Sequence, residues 1–371
     1  MTITISRTAA PGHGVVRYAT IGGLQLEAGG YLPDVTLAYE TWGTLNADGS
    51  NAVLIEHALT GSTHVTRGDS DEEGWWEQLA GPGAPVDTDR FFVVSINILG
   101  GCYGSTGPSS EAPDGKPWGS RFPLVTLRDT TAAEARLADA LGIGSWFAVL
   151  GGSMGGARAL EWAVTYPARV QRCGVISVGA ASTAEQIAFA QAQTLAIRQD
   201  VNFNDGDYYG GPLPEDGLAL ARRIAHITYR SAAEFHGRFG RAAQLAESPL
   251  QAEALGTRGR YQVESYLDHQ GTKLVRRFDA NSYIAITDAL MSHDISRGRG
   301  SLEEALGRAT ARFFVAAVDS DRLYFPSQSR ELADALPGDV DVHVIQAPIG
   351  HDGFLTEIGQ LSGPLRRHLA D

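Results

Sequence analysis

Two textures of hydrophobic and polar residues alternate along the first half of the chain. Short apolar runs occupy 51–57, 91–97, 146–150 and 173–178. Runs of that length suit strands buried on both faces of a parallel sheet. Between them, 127–141 has helical spacing, with Leu137, Ala138 and Leu141 on one face, and 75–79 also reads as helical. Ahead of them, 15–26 and 35–41 alternate as strands, with Gly22-Gly23 as a turn, and 1–14 reads as a mobile arm. After Val178 the texture changes. Residues 180–295 lack short apolar strands; helices are expected at 184–198, 217–229, 261–278 and 281–289, with loops at 204–214 and 245–260. Strand texture returns at 312–318 and 340–345, with helices at 327–336 and 354–369. Alternating strand and helix implies an α/β fold built on a mostly parallel sheet. Residues 1–180 and 296–371 are expected to form this α/β domain, and 181–295 a helical lid inserted over the C-terminal edge of the sheet.

The run 146–157 reads Trp-Phe-Ala-Val-Leu-Gly-Gly-Ser-Met-Gly-Gly-Ala. An apolar strand passes directly into Gly151-Gly152-Ser153-Met154-Gly155-Gly156, and helix-forming residues follow to Tyr166. G-x-S-x-G between a strand and a helix is a nucleophile elbow. A chain that turns from strand to helix within one residue leaves no room for side chains two positions either side of the serine. The serine itself is forced into a strained backbone conformation, which holds its hydroxyl clear of the sheet. The N–H of Met154 then lies at a helix N-terminus, where it can stabilise an oxyanion.

A serine hydroxyl becomes a good nucleophile only when a base takes its proton, and the base needs an acid to fix its tautomer. Behind an elbow of this kind, acid and base follow in that chain order. The strand at 312–318 ends in Val318-Asp319-Ser320-Asp321-Arg322-Leu323, and the strand at 340–345 is followed by Pro348-Ile349-Gly350-His351-Asp352. His351 is the expected base, since His343 lies within its strand rather than after it. Asp319 and Asp321 are both candidate acids, and either can instead cap the next helix. A second oxyanion donor is expected from the loop His57-Ala58-Leu59-Thr60-Gly61, at Leu59. Arg222-Arg223 lie mid-helix in the insertion, where one guanidinium turned inward can clamp a carboxylate. Trp75, Trp76, Tyr208, Tyr209 and Tyr266 read as packing residues, and Cys102 as an inert thiol.

Charge and cysteine usage narrow the function classes. A net charge of -13 leaves no broad basic surface for nucleic acid, but permits a local basic site for a small anion. The two cysteines, Cys102 and Cys173, exclude a disulfide framework and a Cys-based zinc site, and no metal is expected. No apolar stretch is long enough to span a bilayer and no signal-peptide pattern is present, so a cytoplasmic enzyme is expected without a membrane partner.

Beyond the elbow, longer pieces stand in order: 38–46 (Ala-Tyr-Glu-Thr-Trp-Gly-Thr-Leu-Asn), 56–61 (Glu-His-Ala-Leu-Thr-Gly), 97–108 (Asn-Ile-Leu-Gly-Gly-Cys-Tyr-Gly-Ser-Thr-Gly-Pro), 119–123 (Gly-Ser-Arg-Phe-Pro), 221–230 (Ala-Arg-Arg-Ile-Ala-His-Ile-Thr-Tyr-Arg), 263–267 (Val-Glu-Ser-Tyr-Leu) and 350–352 (Gly-His-Asp). In this order they resemble the homoserine O-acetyltransferases, acyltransferases of α/β-hydrolase fold. The resemblance implies Ser153 as nucleophile, His351 as base and Asp321, rather than Asp319, as acid. It implies backbone oxyanion donors at Leu59 and Met154. It places the substrate-binding arginine on Arg222, with Arg223 its near neighbour, and the residue receiving the substrate's amino group on Asp352. It further implies L-homoserine and acetyl-CoA as substrates, no bound cofactor, ping-pong transfer, and a homodimer through the insertion. Succinyl-CoA as donor, serine as acceptor, or plain ester or thioester hydrolysis are the alternatives on such a scaffold. One departure stands out: Tyr324-Phe325-Pro326 follows Leu323, where the family pairs one aromatic with proline.

Overall fold

The apolar runs become the centre of one sheet, and their alternate residues feed two cores. The computed structural model describes residues 4–5, 12–252, 254 and 256–370. The strands in chain order are β1 (Thr4–Ile5), β2 (Arg17–Gln25), β3 (Tyr31–Trp42), β4 (Ala52–Glu56), a small separate pair β5 (Ala80–Gly81) and β6 (Val86–Asp87), then β7 (Phe92–Ile96), β8 (Ala148–Gly152), β9 (Arg172–Ile176), β10 (Arg312–Val318) and β11 (Val342–Ile345). The main sheet runs β1-β2-β3-β7-β4-β8-β9-β10-β11. From β7 to β11 every pairing is parallel, and the β1-β2-β3 edge is antiparallel. Leu54, Val94, Val149, Cys173, Val175 and Val315 face one core. Val53, Ile55, Val93, Ala148, Leu150, Ile176 and Ala316 face the other. Burial on both faces explains why these strands read as continuous apolar runs.

Helices cover both faces. α1 (Leu127–Ala140), α2 (Met154–Thr165) and, after the insertion, a helix at Pro326–Ala335 pack on the first core. Helices at Gly353–Thr356 and Ile358–His368 pack on the second. The insertion holds α3 (Ala184–Arg198), α4 (Glu215–Tyr229), α5 (Ala232–Phe239), α6 (Gln262–Val275) and α7 (Ala280–Met291); α8 (Leu302–Leu306) leads back to β10. The later helices, in the order just given, are α9, α10 and α11. The insertion leaves and rejoins the sheet through one stem: Ser182 N–H donates to His293 O at 2.9 Å, and Ile295 N–H to Ala180 O at 3.0 Å.

Several elements differ from expectation. Of the arm at 1–14, residues 1–3 and 6–11 lie outside the described residues, while Thr4–Ile5 pair with β2. Gly22-Gly23 is not a turn but an irregularity within β2, where the register shifts. A Cβ on Gly23 would lie 2.0 Å from the Tyr31 hydroxyl, so the glycine serves a close approach rather than a reversal. Residues 75–79 form turns, not a helix, because their amides are committed elsewhere: Trp75 N–H donates to His64 O and Trp76 N–H to Val65 O. The helix expected at 354–369 breaks at Glu357 into α10 and α11.

Candidate active site

The turn from β8 into α2 leaves Ser153 at φ 56°, ψ −128°, a conformation rare for a residue with a side chain. A hydrogen bond from its N–H to Ile176 O, at 2.9 Å, holds it there. The flanking glycines are obligatory. A Cβ on Gly151 would lie 2.2 Å from the Gly155 carbonyl carbon, and one on Gly155 would lie 2.1 Å from Glu56 O. Strand, helix and β4 thus meet at backbone distance, and the serine hydroxyl stands at the sheet's C-terminal edge.

Two later strand ends meet it. Ser153 Oγ lies 2.9 Å from His351 Nε2, and His351 Nδ1 lies 2.6 Å from Asp321 Oδ2. All three side chains are buried. Asp321 Oδ1 accepts the N–H groups of Leu323, at 2.8 Å, and Tyr324, at 2.9 Å, which fixes the carboxylate from behind. The Tyr324-Phe325-Pro326 departure therefore leaves the Asp321 carboxylate anchored, and Pro326 simply begins α9. Asp319 does different work: its Oδ1 accepts Ala347 N–H at 2.9 Å and ties β10 to the loop after β11. Burial disfavours a charged His351 ring, but the Asp321 carboxylate outweighs it, with Asp352 adding, and the pKa is raised. His343 is remote from this line, its Nε2 bonded to Gln360 O.

The loop after β4 lines the opposite side of the serine. Ala58 O accepts from Gly61 N–H at 2.8 Å and lies 2.8 Å from His57 Nδ1. A trans peptide directs its N–H away from its carbonyl, so these two bonds also set the direction of Leu59 N–H. Burial and the nearby Arg158 guanidinium push His57 down to about 3, so the ring is neutral. Its Nε2 accepts Ile98 N–H at 3.1 Å, and Nδ1–H is the donor to Ala58. Met154 opens α2, so its N–H has no acceptor within the helix. In the sequence His57 stands only as the last residue of the 51–57 run and the first of the loop, with no role of its own; its place at a strand end, one residue before the turn, is the signal that marks it.

A cavity of about 1130 Å³ opens onto Ser153 between the sheet edge and the insertion. Leu59, Ser153, His351, Arg222 and Asp352 all face it, and so does Trp75, which the sequence suggested was packing alone. Trp76 is core, its indole N–H donating to Phe354 O at 3.2 Å. Tyr208 and Tyr209 bond Asp279, and Tyr266 bonds His226, as packing residues do. Burial pushes the Cys102 thiol up to about 12. The adjacent arginines separate cleanly. Arg223 pairs with Asp268 of α6 at 3.0 Å, whereas Arg222 stands 3.5 Å from Thr60 Oγ1, with its guanidinium 5.5 Å from the Tyr229 ring centre. Asp352 pairs with Arg230 at 3.2 Å, across the junction of α4 with the His351 loop. Nothing in the spacing marks Arg230, because its partner lies on a distant strand end. Among the described residues no group of three or more His, Cys, Asp or Glu side chains converges as a metal site would require.

A model described as the alpha/beta hydrolase fold matches residues 51–358. A homoserine O-acetyltransferase from Thermobifida fusca (strain YX) is 57% identical over 352 residues, covering 94% of this chain and 91% of that protein. Among solved structures, the homoserine O-acetyltransferase from Bacillus anthracis superposes with a TM-score of 0.89 at 27% identity, over 96% of this chain and 98% of that one. Esterase E22 superposes with a TM-score of 0.88, also at 27% identity, over 96% of this chain and 100% of that one. The hydrolase-like frame is thus shared by transferases and esterases, while the high full-length identity lies with the transferases. The chain belongs to the homoserine O-acetyltransferase family of α/β-hydrolase-fold proteins.

Proposed function

We propose that this chain moves an acetyl group from acetyl-CoA to the hydroxyl of L-homoserine, giving O-acetyl-L-homoserine for methionine biosynthesis, through an acetyl-serine. The observation that carries this is the Ser153–His351–Asp321 line opening into a cavity whose lid wall presents Arg222 without a carboxylate partner among the described residues. An esterase needs the line but not an amino-acid clamp.

His351 Nε2 takes the Ser153 proton as Oγ attacks the thioester carbonyl. The imidazolium is stabilised by Asp321, and the N–H groups of Leu59 and Met154 receive the oxyanion. The C–S bond breaks and the CoA thiolate leaves with the proton from His351. Homoserine then enters. Arg222 holds its carboxylate, and the Asp352 oxygen not engaged by Arg230 receives its ammonium. His351 takes the proton of its hydroxyl, which attacks the acetyl carbon. Collapse of the second tetrahedral intermediate breaks the bond to Ser153 Oγ, which regains the proton. Transfer rather than hydrolysis requires the alcohol to be positioned where water is excluded, and residues 181–295 act here as the lid.

The same reading includes a homodimer through that insertion and action in the cytoplasm, where acetyl-CoA is available. Ile187 and Leu195 on α3, and Leu220 and Ile227 on α4, are large apolar side chains left exposed.

The test is thiol release from acetyl-CoA with and without L-homoserine. Release that depends on homoserine, and is abolished in Ser153→Ala, is the expected result. Equal release in both conditions would make the chain a thioesterase.

A further inference from the structure

The insertion is rich in arginine, and most of its guanidinium groups are matched. Arg223 pairs with Asp268, Arg230 with Asp352, Arg258 with Glu264 and Arg260 with Glu247. Three cations facing the cavity are different. Arg222, Lys273 and Arg277 form no ion pair with any described residue, in a chain of 43 acidic and 30 basic side chains. The proposed function uses Arg222 alone. Lys273, in the last turn of α6, and Arg277, two residues beyond its end, are both exposed, whereas Ser153 on the same cavity is 6% exposed. They therefore stand at the mouth while the serine stands at the floor. Arg277 is held in place, donating to Thr60 O at 2.9 Å and to Tyr103 Oη at 2.6 Å. Those bonds use one guanidinium nitrogen and leave the rest of the fork without a carboxylate among the described residues. Glu72 and Glu73 line the same cavity, the latter paired with Arg67 at 2.8 Å, so an anion entering here is drawn to the cations of the α6 side.

The volume makes the same point. At about 1130 Å³ the cavity exceeds the upper end, roughly 1,000 Å³, of ordinary small-ligand pockets. A small amino acid fills little of it. The thioester donor does not end at its sulfur: a long uncharged arm leads to a nucleotide with a pyrophosphate and a ribose phosphate.

We propose that Lys273 and Arg277 form a phosphate subsite at the cavity mouth, which takes the anionic nucleotide end of the acyl donor while its thioester reaches Ser153. The proposal rests on acetyl-CoA as donor, and it assigns these two residues to the donor rather than to the amino acid. Lys273 makes the sharper test, because Arg277 also holds the loop that carries Leu59.

The experiment is calorimetric titration of the full chain with coenzyme A and, separately, with pantetheine, which has the arm but no phosphate. Lys273→Gln weakens coenzyme A binding about two- to fivefold, the scale of one exposed charge contact, and leaves pantetheine unchanged. Lys273→Arg restores the affinity. Added salt weakens coenzyme A binding more in the parent chain than in Lys273→Gln. Equal loss for both ligands, or no loss for either, overturns the subsite. The two readings fail separately. Normal acetyl transfer with unchanged coenzyme A affinity in Lys273→Gln would remove the subsite and keep the reaction. Selective loss of coenzyme A affinity in a chain that transfers no acetyl group would do the reverse.

Discussion

At the scale of single residues, the site depends on how two neighbouring acids, Asp319 and Asp321, are divided. The backbone between them turns so that Asp321 reaches His351 while Asp319 reaches Ala347 N–H. This division governs the pH response. His351 must be neutral to accept the Ser153 proton, so thiol release falls as pH drops through the His351 pKa. Burial lowers that pKa, the Asp321 carboxylate more than restores it, and the net direction is up from the ordinary value of 6.5. The acid limb of kcat/KM for acetyl-CoA is therefore expected above pH 6.5. Asp321→Asn removes the lift and leaves burial, so its limb moves to lower pH, and kcat falls by about 10⁴, as in other triads whose acid is neutralised. Asp319→Asn keeps the limb in place. A pH–rate profile of the three proteins checks this, and an unmoved limb in Asp321→Asn would contradict the geometry.

Between elements, the junction of β4, α1 and α2 carries a charged cluster sealed from water. Arg158 of α2 lies 2.5 Å from Glu56 of β4 and also bonds Glu134 of α1, all three with no exposed side-chain surface. Trp162 Nε1–H donates to Glu134 at 2.8 Å. The cluster sits directly beneath the elbow, where Glu56 O limits Gly155. Burial raises the Glu56 pKa well above the ordinary carboxylate value, with Arg158 opposing and Glu134 reinforcing. The unfolded chain releases the Glu56 proton above its ordinary value of 4.5, so this residue's contribution to stability declines as pH rises from there. Glu56→Gln mimics the protonated form. It should flatten that decline. Arg158→Met strands Glu134 and should cost about 3–5 kcal/mol. Denaturant melts at two pH values measure both. None of this cluster was legible in the sequence, because Glu56, Glu134 and Arg158 have no periodic relation and meet only in the fold. The parallel strands were legible, since two-sided burial writes an apolar run. So was the elbow, since backbone contact at Gly151 and Gly155 demands glycine. Residues 75–79 misled because their apolar character comes from packing on a loop, not from a helix face, and α5 escaped because none of its residues is buried.

For the whole molecule, the proposed reaction requires the insertion to hold Arg222 at a fixed place over a cavity that two substrates enter in turn. α4 carries Arg222 into the cavity, while Leu220 and Ile227, seven residues apart, share a helix face that is left exposed. Beside it, α3 packs on α4 and exposes Ile187 and Leu195. An apolar face of this kind is stable in water when a second copy covers it, and a net charge of -13 on each chain favours contact through an uncharged patch. The proposed dimer therefore clamps the helix that bears Arg222, the proposed amino-acid clamp. Leu220→Asp with Ile227→Asp should halve the mass measured by light scattering. It should also raise KM for homoserine severalfold, because α4 loses its outer support. Ser153, His351 and Asp321 are held by the sheet, so acetylation of the serine by acetyl-CoA should persist in the monomer. A parent chain that is already monomeric removes the dimer from the proposal. A variant that dissociates with homoserine saturation unchanged would show that the lid positions Arg222 without help from a partner.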